Sequence, residues 1–272
     1  MIDLHLHTTA SDGKLPPADL VARGVAAGLT TISITDHDTT GGLNEARAAA
    51  AACGIRLIDG IEITAVEHGR DTHVLGYWFD PSNDSLGGFL ERQRTDRIRR
   101  VREMSERLAA LGVPIDPEPL IARGLEDGRS VGRPHVAAAL IARGYVQSWD
   151  EAFAKYLEQG GPAFVPRRGA SAAEVIRVIH EAGGVASLAH PGLSRVDSLI
   201  LSLASSGLDA LEASHSDHDP ETESRYRALA RSLGLAVTAG SDFHGDDVRK
   251  PCALGTITMT RGELAELEAR RR

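Results

Sequence analysis

Asp3-Leu4-His5-Leu6-His7 alternates ionisable and apolar residues with a period of two. On an extended strand, alternate side chains share a face. Asp3, His5 and His7 therefore point one way, and Ile2, Leu4 and Leu6 the other. Two imidazoles one strand repeat apart can chelate a single ion. Residues 2–7 thus read as a strand that is apolar on its packed face and carries chemistry on the other.

The same arrangement recurs downstream. Pro16-Pro17 opens a helix over 18–27 that Gly28 closes. A β-rich run over 30–35 precedes Asp36-His37-Asp38, and an Ala-rich helix over 43–53 ends at Gly54. Strands over 55–61 and 73–79 follow, with Glu62 after the first and His73 opening the second. Strands alternating with helices imply parallel βα units. From 85 to 160 the pattern is helical only, with expected helices over 86–111, 119–123, 133–143 and 150–159. This stretch reads as an inserted helical subdomain (85–160), and Gly160-Gly161-Pro162 and Pro166 form its exit. The βα rhythm then resumes. Helices over 171–182, 196–205 and 221–233 separate strands over 185–189, 208–213 and 235–239. A last strand over 254–259 and a short terminal helix complete the chain. The expected fold is α/β: a closed or nearly closed (β/α) barrel formed by 1–84 and 161–272.

Nearly every strand delivers His, Asp or Glu near its C-terminal end. Beyond the first strand these are Asp12, His37, Glu62, His73, His190, Glu212, His215, Asp242 and His244. In a (β/α) barrel the C-terminal strand ends converge on one face, where active sites sit. Residues distant in sequence then surround one cavity. Imidazoles and carboxylates without thiols suit Mn, Fe, Zn or Mg rather than a soft metal.

Composition bounds the alternatives. A chain of 272 residues buries a sizeable core, and its net charge of −8 argues against a protein that grips long duplex nucleic acid. Its two cysteines, Cys53 and Cys252, make no disulfide framework and read as reduced thiols. No apolar run reaches transmembrane length, and no signal-like segment opens the chain. The expectation is a cytoplasmic protein with no membrane partner.

The motifs Asp3-Leu4-His5-Leu6-His7, Thr35-Asp36-His37-Asp38, Gly60-Ile61-Glu62, His73, Ala189-His190-Pro191 and Gly240-Ser241-Asp242-Phe243-His244 resemble the PHP (polymerase and histidinol phosphatase) domain family, in the family's order. Gly132-Arg133-Pro134-His135 and the helical insertion look most like the group that dephosphorylates nucleoside 3′,5′-bisphosphates and trims short oligonucleotides. The resemblance implies a distorted (β/α)7, TIM-like barrel holding three divalent ions, with Mn foremost. By motif position, His5, His7, Glu62 and Asp242 would hold the first ion. Glu62, His73 and His190 would hold the second, with Glu62 bridging, and Asp12, His37 and His244 the third. Asp3 and Asp36 would orient ligating imidazoles from behind. Three such ions against Asp12, Glu62 and Asp242 leave about +3 to attract a phosphoryl dianion. A hydroxide between two ions would be the nucleophile. His215 would contact the phosphoryl group or protonate the leaving oxygen.

For substrate, the basic stretch before the 133–143 helix supplies Arg129, Ser130, Arg133 and His135 as candidates for holding a second phosphate. The 92–107 segment contains seven arginines interleaved with acids and reads mostly as a solvated helix. Arg99 and Arg102 are its candidates for facing the site. The expected substrate is a small phosphorylated nucleotide that loses its 3′-phosphate. The alternatives are a 5′→3′ exonuclease on short 5′-phosphorylated oligonucleotides, a histidinol-phosphate phosphatase, and a non-catalytic metal-binding module. The fold alone could also host amidohydrolase chemistry.

Overall fold

The computed structural model describes residues 1–126, 128–246 and 253–272; Cys252 lies outside them. Seven strands among the described residues form one sheet in sequence order: β1 (Ile2–Asp3), β2 (Thr31–Ile34), β3 (Arg56–Glu67), β4 (Arg70–Tyr77), β5 (Val185–Leu188), β6 (Ala210–His215) and β7 (Ala236–Gly240). The continuation of β1 closes the sheet against β7. Leu4 N donates to Ala239 O, Asp242 N to His5 O and His7 N to Phe243 O. The result is a nearly closed barrel wrapped by helices.

Two features depart from the expected rhythm. First, β4 is antiparallel to both β3 and β5, whereas every other pair is parallel. β3 runs five residues past Glu62 to Glu67 and turns directly into β4. The N-terminal half of β4 therefore lies at the same barrel end as the C-terminal ends of the parallel strands. That is why His73, early in its strand, still reaches the mouth.

Second, no strand spans 254–259. The segment is turn and bend, with Gly255 at φ 83°, and only Met259 bridges to Ile2. Because β7 bonds directly to the β1 continuation, the barrel offers no edge to an eighth strand. The terminal helix α11 (Arg261–Glu268) instead buries Leu264 and Leu267 in one apolar cluster with Ile2, Leu4 and Met259.

The outward strand residues Ile32, Ile34, Leu188 and Leu211 share the main core with α1 (Pro17–Ala26), α2 (Leu43–Cys53), α7 (Ala172–Glu181), α9 (Asp197–Ser205) and α10 (Pro220–Ser232). The helix α8 (Pro191–Ser194) is a single turn after His190. Between β4 and β5 lie α3 (Asp84–Ala110), α4 (Glu118–Glu126), α5 (Arg133–Ala142), α6 (Trp149–Ala152) and a π-helical turn (Phe153–Leu157). These helices enclose an apolar cluster of their own, from Val101 to Val165. The first turns of α3 belong elsewhere, because Leu86, Phe89 and Leu90 pack in the barrel core. One long helix thus begins on the barrel and ends in the insertion.

Among the described residues no helix is long and apolar enough to cross a membrane.

Candidate metal centre

At the barrel mouth a buried carboxylate stands among imidazoles. Glu62 Oε1 lies 2.7 Å from His73 Nδ1 and 3.0 Å from His190 Nε2. Its Oε2 lies 2.9 Å from His37 Nδ1, 3.2 Å from His7 Nε2 and 3.4 Å from His5 Nε2. Asp242 Oδ1 stands 3.3 and 3.1 Å from the same His5 and His7 atoms. On the far side of His7, Asp12 lies 3.3 Å from His244 Nε2 and 3.9 Å from His37 Nε2. The structure thus brings together His5, His7, Asp12, His37, Glu62, His73, His190, Asp242 and His244. His37 reaches both the Glu62 and the Asp12 groups, so it is not confined to one.

The donor atoms have the character of metal ligands. His5 Nε2, His7 Nε2, Asp12 Oδ1, His37 Nδ1, Glu62 Oε2 and His73 Nδ1 are buried without an aligned hydrogen bond. Buried polar atoms are ordinarily paired. Six unpaired lone-pair donors facing one another fit divalent ions, and the nitrogen–oxygen donor set is the one Mn, Fe or Zn accepts.

Burial alone would raise the Glu62 pKa, but His37, His73 and His5 hold it well below the usual range. Burial alone would likewise raise Asp242, but His5 and His244 hold it well below the usual carboxylate range. His7 moves the other way: against burial, Asp242 and Glu62 lift it to about 10. Without metal, therefore, protons do part of the neutralising that ions would do.

The backbone is bent to suit the ligands. Asp242, His190 and Asp38, the neighbour of His37, all have positive φ, at 55°, 26° and 52°. Such conformations cost about 1–3 kcal/mol each and persist where the surroundings over-determine them. Gly240 serves a close approach: a Cβ there would collide with His5 Cβ.

The residues behind the ligands differ from expectation. Asp3 Oδ1 accepts from the backbone N–H of His5 and of Ser241, so it ties β1 to the 241–244 loop and touches no imidazole. Asp36 accepts from Thr8 N, Thr8 Oγ1 and Ser11 Oγ, and reaches His7 only through Ser11. The imidazole-orienting carboxylate is Glu212. Its Oε1 accepts from His5 Nδ1 at 2.9 Å and its Oε2 from His190 N at 2.8 Å. Its signal in the sequence is its place near the end of a strand, shared with His215. His244 Nδ1 is fixed by the Asp242 carbonyl at 2.8 Å. In each case the ring's second nitrogen is turned to the cluster, the usual arrangement behind a metal ligand.

His215 does not open into the cleft. It is 1% exposed; its Nδ1 accepts from Asp217 N, which leaves Nε2 as the donor toward Asp242 Oδ2, 3.4 Å away. That geometry orients Asp242 rather than serving a leaving group.

The cleft beside the cluster has a volume of about 350 Å³ and a basic wall of Arg97, Arg100, Arg133 and Arg167. Arg99 and Arg102 are not part of it. Arg99 pairs with Asp96 and Glu103, and Arg102 is half exposed near Glu118. The phase of α3 explains the difference. Leu86, Leu90, Gln93, Arg97, Arg100, Met104 and Leu108 are all buried at helical spacing. Apolar residues at both ends of that series were the missed signal that the arginines between them face inward. Arg133 lines the cleft as expected, held by Asp71 at 3.1 Å. Nearby, His135 Nδ1 accepts from Gly132 N at the start of α5, and Ser130 N donates to Ala10 O while its Oγ is buried without a hydrogen bond. Arg129 lies in the same loop, outside the cavity wall.

The arginine wall is short of counter-charge. Asp38 takes Arg97 Nε at 2.6 Å and Arg167 at 3.4 Å, and Asp71 serves Arg133 and Arg167. These two carboxylates pair with three of the four guanidinium groups, and Arg100 Nε donates to the Val165 carbonyl instead. Burial, and then the like charge of Arg167, bring Arg100 down to about 9. Arg100 Nη2 and Arg167 Nε are buried without an aligned hydrogen bond. An anion in the cleft would satisfy both.

The fold and this double site define a metal-dependent phosphoester hydrolase: a cluster for cations beside a cradle for anions, at the mouth of a barrel. The PHP domain family model matches residues 3–159, and the chain belongs to that family. It is 36% identical to a 5′-3′ exoribonuclease of Haemophilus influenzae over 89% of each chain. It is 35% identical to a 3′,5′-nucleoside bisphosphate phosphatase of Chromobacterium violaceum, over 89% of this chain and 87% of that one. A Bifidobacterium adolescentis protein, named as a metal-dependent phosphoesterase, superposes with a TM-score of 0.90 at 36% identity, covering 100% of this chain and 96% of that one.

Proposed function

We propose that the chain removes the 3′-phosphate of nucleoside 3′,5′-bisphosphates. The carrying observation is the pairing of two anion-attracting poles in one cleft, the imidazole–carboxylate cluster and the four-arginine wall. A two-phosphate substrate can occupy both at once, whereas a substrate with one phosphate leaves the arginines unsatisfied. A volume of about 350 Å³ suits a single small ligand.

Three divalent ions, with Mn foremost, fit the cluster. His5, His7, Glu62 and Asp242 would hold one, Glu62, His73 and His190 a second, and Asp12, His37 and His244 a third. Bound there, such ions supply a nucleophile at neutral pH and the charge that neutralises a phosphoryl group. The protein does the rest. Glu62 presents one oxygen to each side of the cluster, Glu212 fixes His5, and His215 steadies Asp242. Arg100, Arg133 and Arg167 hold the second phosphate and so set the distance from it to the reacting one. The helices of 85–160 act as the specificity element, because they supply three of the four arginines. The exposed, unpaired thiol of Cys53 is compatible with a reducing, cytoplasmic setting.

A second reading, 5′→3′ exonuclease action on short oligonucleotides, draws support from the relative of that name at nearly equal identity. A panel on metal-loaded protein separates the two, containing a nucleoside 3′,5′-bisphosphate, a short 5′-phosphorylated oligonucleotide and histidinol phosphate. Phosphate released fastest from the first is the expected result. Mononucleotide released fastest from the second would move the assignment to exonuclease. Release from neither would overturn both.

A further inference from the structure

The anion-binding groups leave part of the cleft unexplained. Aromatic residues are 4% of the chain, yet Trp149 and Phe153 both line this cavity, with Pro134 beside them and Leu193 on the barrel side. Leu193 is 53% exposed in a cleft that also carries the four arginines. Ions and phosphates cannot use such a surface.

The two aromatic side chains are held in place by local structure. Ser148 caps α6 by accepting from Glu151 N, which pins Trp149 at the first helical position. Phe153 follows four residues later, on the same helix face. It also opens the π-helical turn Phe153–Leu157, and π turns recur at functional sites. On their inner side both rings pack against the apolar cluster of the insertion. The Arg133 guanidinium lies 5.8 Å from the Phe153 ring centre and 5.8 Å from that of Phe164. One cation of the phosphate wall is thus fixed against one ring of the apolar wall.

We propose that Trp149 and Phe153 form a stacking platform for the nucleobase, opposed across the cleft by Leu193. This inference rests on the nucleotide reading above and adds which part of the substrate the insertion recognises. The π-face of a base is common to all four nucleotides, so stacking gives affinity with little sequence choice. The platform favours purines over pyrimidines through contact area alone. Trp149 and Phe153 are specificity residues acting on binding; they touch no reacting atom.

The test compares a nucleoside 3′,5′-bisphosphate with the abasic ribose 3,5-bisphosphate on the metal-loaded enzyme, using Trp149→Ala, Phe153→Ala and the conservative Trp149→Phe. Losing a stacking ring weakens binding roughly 5- to 150-fold. Trp149→Ala should raise KM for the nucleotide by that factor with kcat little changed. It should leave the abasic substrate unaffected, and Trp149→Phe should recover most of the loss. Equal losses on both substrates would indicate a merely structural role and overturn the platform.

A second readout needs no turnover. Trp78 and Trp149 are the two tryptophans, so Trp78→Phe isolates Trp149 fluorescence. Adenosine 5′-monophosphate should quench it and ribose 5-phosphate should not. Calorimetric binding of the nucleotide without quenching would defeat the platform while leaving the phosphatase reading intact. A wild type that neither hydrolyses bisphosphates nor binds the mononucleotide would remove both.

Discussion

The barrel mouth and the inserted helices face each other across one cleft with opposite deficits. At the mouth, buried imidazole and carboxylate donor atoms converge without aligned hydrogen bonds. On the insertion side, buried guanidinium groups crowd together without enough anions. Neither arrangement is a favourable way to bury polar groups on its own. Each makes physical sense once a ligand of the missing sign is supplied, metal on one side and phosphate on the other. On the proposed function the contrast divides the labour: the mouth would perform the chemistry, and the helices between β4 and β5 would select the phosphoester presented to it.

The sharpest way to break this division is at its hinge. Glu62→Gln removes the charge that both sides of the cluster share. Activity should fall by more than about 10³-fold, beyond what loss of a supporting group costs, on any phosphoester tested. Metal analysis should show reduced ion content in a protein whose circular dichroism is unchanged. Full metal content with near-normal turnover would refute the bridging role.

The insertion should fail selectively. Arg100→Ala removes a charge-assisted contact worth about 1.5–3 kcal/mol, a loss of roughly 10- to 150-fold in kcat/KM on a two-phosphate substrate. A single-phosphate test ester such as p-nitrophenyl phosphate should be spared. Equal losses on both substrates would erase the distinction between the regions.

Glu212→Gln probes the mouth more gently. It weakens the acceptor behind His5, and metal affinity should drop about 10- to 100-fold, measured by chelator competition. Proton linkage sharpens the same measurement. The metal-free cluster lifts His7 to about 10 and raises His5 as well. Those imidazoles hold protons at neutral pH, and ligation must expel them. Metal affinity should therefore fall as pH falls, and calorimetry in buffers of different ionisation enthalpy should record net proton release.

The smallest expected effect is also informative. Arg99→Ala and Arg102→Ala change groups on the outer side of α3, and kcat/KM should stay within about twofold, as for surface substitutions near ±0.5 kcal/mol. A large loss at either would mean that the helix presents a different face to substrate.

Much of the mouth is legible in the sequence, because ligand chemistry is carried by residue type and strand ends are marked by local periodicity. His5 and His7 share a face by the pleat alone, and Glu62, His190 and Asp242 announce themselves at strand ends. The family motifs then grouped them. Three things were not legible. The antiparallel course of β4 lies in strand pairing, which a βα rhythm does not encode, so His73 reaches the mouth for a reason the spacing did not reveal. Glu212 looked like one more ionisable residue until β6 was placed beside β1. The inward face of α3 was hidden because arginine usually signals solvent, and only Asp38, Asp71 and the helices of the insertion make an inward arginine tolerable.

By itself, then, the sequence determined the donor atoms and the barrel that gathers them, since both follow from chemistry and periodicity within a few residues. The tertiary structure alone decided which carboxylate steadies which imidazole and which arginines line the cleft. Those choices depend on counter-charges far away in the chain, Asp38 being 129 residues from Arg167 and His5 207 from Glu212.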